Sequence, residues 1–337
     1  MKNFLKILMT VAVFGLLIMS CQKPVDSVSL DQNTLMMKIG TTATLVATVK
    51  PDKAADKSVT WSTSDAEIAT VENGKITALA EGKTTVTVIT VDGNKSATCQ
   101  VTVNYDYIES DYGITLVPVE GGTFTMGSAN SDAEAYSTEK PAHQVTVSGF
   151  KIMKYEVTQK QWHDIMDSWP AEEPNSRDGA GDNYPAYNVS WNDIQAFITK
   201  LNQKTGKKYR LPTEAEWEFA ARGGIRSKGF KYSGSNNISD VAYYRDNSSK
   251  TNPVGSKQPN ELGIYDMSGN VGEWCYDWDG NYTEDTQTNP TGPATGTTKI
   301  TRGGSWNNGA RNCRVAYREN FGINARYSYM GFRLVLP

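Results

Sequence analysis

Hydrophobic and polar positions change their rhythm along this chain. After an apolar run from Ile7 to Met19, broken only by Thr10 and Gly15, residues 25–104 alternate with period two. Ala43-Thr44-Leu45-Val46-Ala47-Thr48-Val49, Ser58-Val59-Thr60-Trp61-Ser62 and Thr84-Thr85-Val86-Thr87-Val88-Ile89 are strand patterns. Turn signals at Ile39-Gly40, Lys50-Pro51-Asp52, Glu72-Asn73-Gly74, Glu81-Gly82 and Asp92-Gly93-Asn94 separate them. Short β-branched strands at this spacing predict an all-β sandwich. Residues 105–113 are polar without a sustained apolar period and predict a linker.

From residue 114 the rhythm changes again. Leu116 to Gly127 predicts a strand with a Gly-Gly turn, and Val145–Val147 with Phe150–Ile152 a strand pair. Three helices follow, each with a start signal. Thr158 and Gln161 make a capping box ahead of Trp162, Ile165 and Met166. Ser190 caps a helix whose Ile194, Phe197, Ile198 and Leu201 follow i, i+3, i+4, i+7, stopping near Gly206. Thr213 and Glu216 form a further box, closed by Gly223-Gly224. Beyond Gly224 Gly, Asn, Ser and Asp dominate, which predicts long loops and short strands of the kind that carry function or hold ions.

Composition narrows the classes. The 337 residues hold 34 Lys+Arg against 37 Asp+Glu, so there is no basic footprint for nucleic acid. Two His, His143 and His163, exclude a site of three His ligands within the chain. Both read as structural or exposed. Lys2 and Lys6, the apolar run and Ile18-Met19-Ser20-Cys21 resemble a lipoprotein signal spanning residues 1–20. That resemblance implies cleavage before Cys21 and lipidation of Cys21, hence a cell-envelope protein held at a membrane by acyl chains, periplasmic or surface-exposed. An exported compartment permits disulfides. Cys99 shares the strand face of Val101 and Val103 and is most simply a buried hydrophobe. Cys275 and Cys313 are left as the candidate bridge, with two buried thiols as the alternative.

Two resemblances emerge. Val59 to Asp65, Ile68-Ala69-Thr70-Val71 and Gly74 to Gly82 resemble the bacterial Ig-like domain of the group 2 type, over residues 25–104. Such modules are spacers or adhesive units, and here the expectation is a stalk. Arg210 to Gly224, Asn260 to Trp274, Arg302-Gly303-Gly304-Ser305-Trp306, Cys313 to Arg318 and Gly331-Phe332-Arg333 resemble the formylglycine-generating enzyme, or sulfatase-modifying factor, family over 114–337. The resemblance implies a loop-rich α+β variant of the C-type-lectin-like fold. The fold class expected is therefore multidomain, an all-β Ig-like sandwich followed by that head.

The family's founding activity oxidises a sulfatase cysteine to formylglycine with oxygen, using two cysteines whose thiolates hold Cu(I). The first cysteine position, a few residues after Gly-Gly-Ser, is Asn308 here, and Cys313 aligns only ambiguously with the second. An amide cannot replace a thiolate at Cu(I) or exchange disulfides. Gly272 stands where the family usually carries Trp, whereas Ser305 matches the family's pocket Ser. Ser305, Trp306 and Asn308 are the candidate pocket residues. Copper is not expected, nor is any catalytic residue; no hydrolase signature is present.

Calcium is the cation the resemblance supports. Asp266, Gly269, Val271 and Glu273 match a family calcium site, with side-chain oxygens from Asp266 and Glu273 and carbonyls from Gly269 and Val271. The alternative is a Ser-Gly-Asn turn with Glu273 paired to an Arg of the last segment. A second site, in a shortened region, points to Asp240, Val241 and Asp246. The function expected is a calcium-stabilised binding or structural head for a glycan, peptide or envelope protein. The other reading is a formylglycine-generating oxidase. Seven of the eight Trp lie in the head. Among its loop aromatics, Trp278, Trp306 and Tyr282 are candidates for contact with a ligand, although core filling accounts for most.

Overall fold

A computed structural model describes residues 23–104 and 108–337. The export segment and Cys21 lie outside the described residues. The chain divides between Asn104 and Tyr105 into two compact units.

In the first unit the strands are β1 (Ser27–Leu30), β2 (Thr34–Lys38), β3 (Thr42–Thr44), β4 (Ala47–Lys50), β5 (Val59–Thr63), β6 (Ala69–Glu72), β7 (Lys75–Ala78), β8 (Gly82–Thr90) and β9 (Ser96–Asn104). They form sheets β2-β9-β8-β5, β3-β7-β6 and β1-β4. Period-two alternation does the burying. On β8, Thr84, Val86, Val88 and Thr90 point inward, and on β9 Cys99, Val101 and Val103. Cys99 is a buried hydrophobe, as its strand face requires, and Trp61 packs against the same core.

The second unit begins earlier than composition implies. Ile108–Glu109 (β10) already pairs with Thr115–Val119 (β11), so part of the polar connector belongs to the head. β12 (Gly122–Met126), β13 (His143–Val147) and β14 (Phe150–Met153) follow, then α1 (Gln159–Ile165), α2 (Trp191–Thr205), α3 (Glu214–Ala221) and α4 (Ile238–Val241). The rest is loops carrying β15 (Gly272–Trp278), β16 (Gln287–Thr288), β17 (Thr298–Arg302), β18 (Arg318–Gly322), β19 (Met330–Gly331) and β20 (Val335–Leu336). The sheets run β10-β11-β14-β20, β12-β13-β16 and β18-β17-β15-β19.

Helix starts are where the sequence places them. Thr158 Oγ1 accepts from the Gln161 amide at 3.2 Å and Gln161 returns a bond to the Thr158 amide at 3.0 Å. Ser190 with Asp193 and Thr213 with Glu216 make the same reciprocal pairs. At the far end of α2, Gly206 takes φ 68°, the left-handed cap that costs least without a Cβ. α1 and α2 bury Trp162, Ile194, Phe197 and Leu201 in one core, while α3 buries Trp217, Phe219 and Ala220 in a second.

β15 lies between these cores and sorts its residues by parity. Trp274 faces the α1/α2 core, and Cys275 belongs to the α3 core. Glu273 and Asp277, on the face of Cys275, also meet α3: Glu273 bonds the Trp217 indole at 2.7 Å and Asp277 the Glu214 amide at 2.9 Å.

Candidate functional site

At the end of β17 the chain turns through Gly303 (φ 90°) and Gly304 (φ 64°). A Cβ on Gly304 would stand 2.4 Å from the Asn312 carbonyl and 3.0 Å from the Cys313 sulfur, so only glycine permits this turn. The turn lays Ser305 over Cys313, whose sulfur receives the Ser305 amide hydrogen bond. The Ser305 hydroxyl bonds Asn308 Oδ1 at 2.6 Å, and the Asn308 amide returns to the Ser305 carbonyl at 3.0 Å. The Asn308 carbonyl accepts from the Arg245 amide at 3.0 Å. Trp306 is half-buried and donates its indole N–H to the Ser328 carbonyl at 3.3 Å. The structure therefore brings Ser305, Asn308 and Cys313 together.

Cys275 is not among them. Cys99, Cys275 and Cys313 are all free and buried, which corrects the expected Cys275–Cys313 bridge. The reason is parity and partition: Cys275 packs in the α3 core, whereas Cys313 packs with Tyr232, Ile238, Val241, Ala242 and Tyr244 beside α4. Burial pushes the Cys313 thiol up to about 12, and burial with the nearby Asp277 and Glu214 charges pushes Cys275 well above its ordinary range. Both stay protonated near neutral pH. A lone neutral thiol beside an amide does not fit Cu(I), which needs paired thiolates.

Glu273 already has partners within the protein. It is fully buried and bound by Arg333 through two bonds of 2.6 and 2.7 Å, with the Trp217 indole N–H at 2.7 Å. A guanidinium takes up both of its oxygens. Asp266 sits at φ 61°, and its Oδ2 accepts from the Gly255 amide at 2.7 Å. Glu156, which was not among the candidate ligands, is also fully buried and accepts from the Asn270 side chain at 2.6 Å and the Val271 amide at 3.1 Å. Burial, then the charges of Asp266 and Glu273, hold the Glu156 carboxyl well above the usual range. Burial holds Asp266 at about 6. Three carboxylates thus share one guanidinium, a cluster short of positive charge. What remains for a hard cation is Asp266 with the carbonyls of Gly269 and Val271. Among the described residues no three His, Cys, Asp or Glu side chains gather as a metal cage.

The second proposed calcium set lies on α4 and in the loop after it. Asp240 spends its oxygens on Ser235 (3.1 Å) and Asn237 (2.9 Å), Val241 is core, and Asp246 is exposed. Gly272 is not there for want of space: a Cβ would meet only backbone oxygens at 3.7–4.0 Å, ordinary contact.

Other arginines of the closing segments pair inward as well. Arg302 meets Glu218, Arg314 holds Glu139 at 2.6 and 2.8 Å, and Arg318 holds Glu214 at 2.7 Å twice. These buried pairs fix the loops, which have little regular structure to do so. Of the loop aromatics, Trp278 gives a ring face to Lys299 at 3.9 Å, and Tyr282 lies under Arg318 at 4.2 Å. His163 is exposed; His143 is buried with Nδ1 3.2 Å from the Pro141 carbonyl.

Residues 110–337 match the family described as the sulfatase-modifying factor enzyme 1-like domain. The chain belongs to the sulfatase-modifying factor family. Residues 24–101 match the bacterial Ig-like domain, group 2. The chain is 35% identical over 272 residues to the chaperone protein LppX of Paenibacillus barcinonensis, covering 65% of this chain and 88% of that one. It is 32% identical over 276 residues to the formylglycine-generating enzyme of Thermomonospora curvata, covering 63% and 87%. Among solved structures, Treponema denticola variable protein 1 superposes with a TM-score of 0.61 at 31% identity, covering 68% of this chain and 97% of that one. PvdO from Pseudomonas aeruginosa gives 0.60 at 28%, with the same coverage. The sulfatase-modifying factor relatives thus include proteins carrying different names, and the fold does not by itself assign a reaction.

Glu156 and Asp277 are the residues that sequence reasoning missed, whereas Arg333 is the last-segment arginine that the alternative for Glu273 named. Glu273, Cys275 and Asp277 stand two apart on one strand, and that alternation is the signal that points at the third.

Proposed function

We propose that the head is a binding or structural module of the sulfatase-modifying factor family that does not oxidise cysteine, carried on an Ig-like stalk. One observation carries this reading: the Ser305 turn presents Asn308 and a single neutral thiol, Cys313, with Cys275 in another core. Oxygen activation on copper needs two thiolates, and an amide is hard where copper(I) is soft. The relatives' names accord with a non-enzymatic role in part, since one is a chaperone protein and another a variable protein. The Ig-like module and the chaperone relative favour an extracellular or envelope setting. Lipidation of Cys21 would hold the protein at a membrane, and among the described residues no helix is long and apolar enough to cross one. A glycan, a peptide or a neighbouring envelope protein is the class of partner.

Calcium belongs to this proposal at the Asp266–Val271 turn, where it would balance the carboxylates that Arg333 alone does not, and supply no chemistry. Adding calcium is expected to raise the melting temperature and chelation to lower it; no shift in either direction rejects the site.

The functional reading is tested by incubating the purified chain, with copper and oxygen, with a sulfatase-derived peptide containing the target cysteine. The expected mass spectrum shows unmodified peptide. Aldehyde formation that is lost in Cys313→Ser would establish the oxidase reading instead.

A further inference from the structure

A cavity of about 350 Å³ opens between α3, β13 and the loop after β15. That is within the size range of small-molecule sites, about 300–1,000 Å³. Its buried charges are already spent. Arg318 spends four of its five N–H donors, on both oxygens of Glu214 and on the carbonyls of Thr138 and Gly280, and its Nη2 also lies 3.9 Å from Asp279. Glu214 is closed further by the Tyr282 hydroxyl at 3.1 Å. The cavity therefore offers no free cation to an anion and no free carboxylate to a cation.

Two buried side chains that line it keep a polar atom unspent. Asp277, 3% exposed, accepts the Glu214 amide on Oδ2 at 2.9 Å, and its Oδ1 has no partner among the described residues. His143, 5% exposed, has Nδ1 against the Pro141 carbonyl, which accepts only. Nδ1 therefore carries the proton, and in the neutral ring Nε2 is an acceptor left free. The His143 ring is held at 4.8 Å against Tyr282 and cannot turn away cheaply. Asp277 keeps its proton at neutral pH, because burial and the Glu214 charge raise it to about 8, so it is a donor. The side-chain amides of the exposed Asn281 and half-buried Gln287, also lining the cavity, add groups that both donate and accept. Met126, Ala215 and Pro293 provide apolar wall.

We propose that this cavity is a binding subsite for one neutral sugar ring. A hydroxyl both gives and takes a hydrogen bond, so a polyol satisfies a buried donor and a buried acceptor at once, and its C–H faces suit the apolar wall. The assignment rests on the binding-module reading and names the ligand class for it. Both unspent atoms face the open cavity, where a matching hydroxyl replaces a bond to water and the apolar wall adds to it.

The test is calorimetric titration of the purified chain with D-glucose, D-galactose, D-mannose and N-acetylglucosamine, with glucuronate and glucosamine as charged probes. At least one neutral sugar is expected to bind at a single site, more tightly than either charged probe. His143→Phe and Asp277→Leu should each weaken binding about tenfold, the loss of roughly one buried hydrogen bond. Asp277→Asn, which keeps both the acceptor for the Glu214 amide and a donor into the cavity, should bind as the parent does. Asn281→Ala, on an exposed loop that does not endanger folding, should weaken binding severalfold. No binding by any neutral sugar, preference for a charged probe, or affinity unchanged in Asn281→Ala and His143→Phe would overturn the assignment. If no sugar binds while the peptide cysteine also stays unoxidised, the subsite falls and the non-oxidase reading stands; aldehyde formation defeats that reading whatever the sugars do.

Discussion

The hydrogen bond between the Ser305 hydroxyl and Asn308 is 2.6 Å long, and the same Ser305 gives its amide to a thiol that burial keeps protonated. A residue can be close to the right place and still carry the wrong chemistry. Glu273 shows the converse. It offers a carboxylate of the right kind at the matching position, but a guanidinium of the last segment has already taken both oxygens. Asp277 carries the clearest pH signature. Its folded value of about 8 lies above the ordinary 3.8, for reasons of burial and of the Glu214 and Glu216 charges, with Lys299 opposing. A carboxyl whose folded value is raised favours the fold fully below the unfolded value, and that contribution is lost as pH rises through the folded one. Between about pH 4 and 8 the unfolded chain has released this proton and the native one has not. Asp277→Asn should therefore match the parent in urea unfolding near pH 4 and exceed it near pH 8. Equal pH slopes for the two proteins would show that Asp277 ionises normally.

At the level of elements, capping chemistry was the most legible feature. Thr158, Ser190 and Thr213 start helices because a hydroxyl before an apolar period has few other roles, and the partner three residues on is visible in the sequence. Thr213→Ala should lower stability by about 1 kcal/mol in urea unfolding, the usual worth of such a cap, and an unchanged midpoint would show the box to be incidental. The alternating strands of the Ig-like unit were equally legible, down to the inward face of Cys99. The short strands after Gly224 were legible only as a class. Pairings such as β13 with β16, or β15 with β19, are parallel contacts across long loops, and no local period announces them.

For the whole molecule, the family and its Ig-like partner could be read from blocks of sequence, but the site could not be completed that way. Spacing along a chain does not say which core a buried cysteine enters, and Cys275 and Cys313 enter different ones. Nor does it say which arginines of the closing segments meet glutamates of earlier elements, as Arg333 meets Glu273 and Arg314 meets Glu139. Those ion pairs anchor loops that would otherwise cost much conformational entropy to hold. On the non-oxidase reading proposed above, the buried ion pairs serve to hold the loops, and the Ser305 turn offers copper one neutral thiol. Copper(I) affinity tests this most directly. In competition with a colorimetric Cu(I) chelator, the purified chain should leave the metal with the chelator, and Cys313→Ser should change nothing. Withdrawal of one equivalent of copper by the parent chain, abolished in Cys313→Ser, would contradict the account.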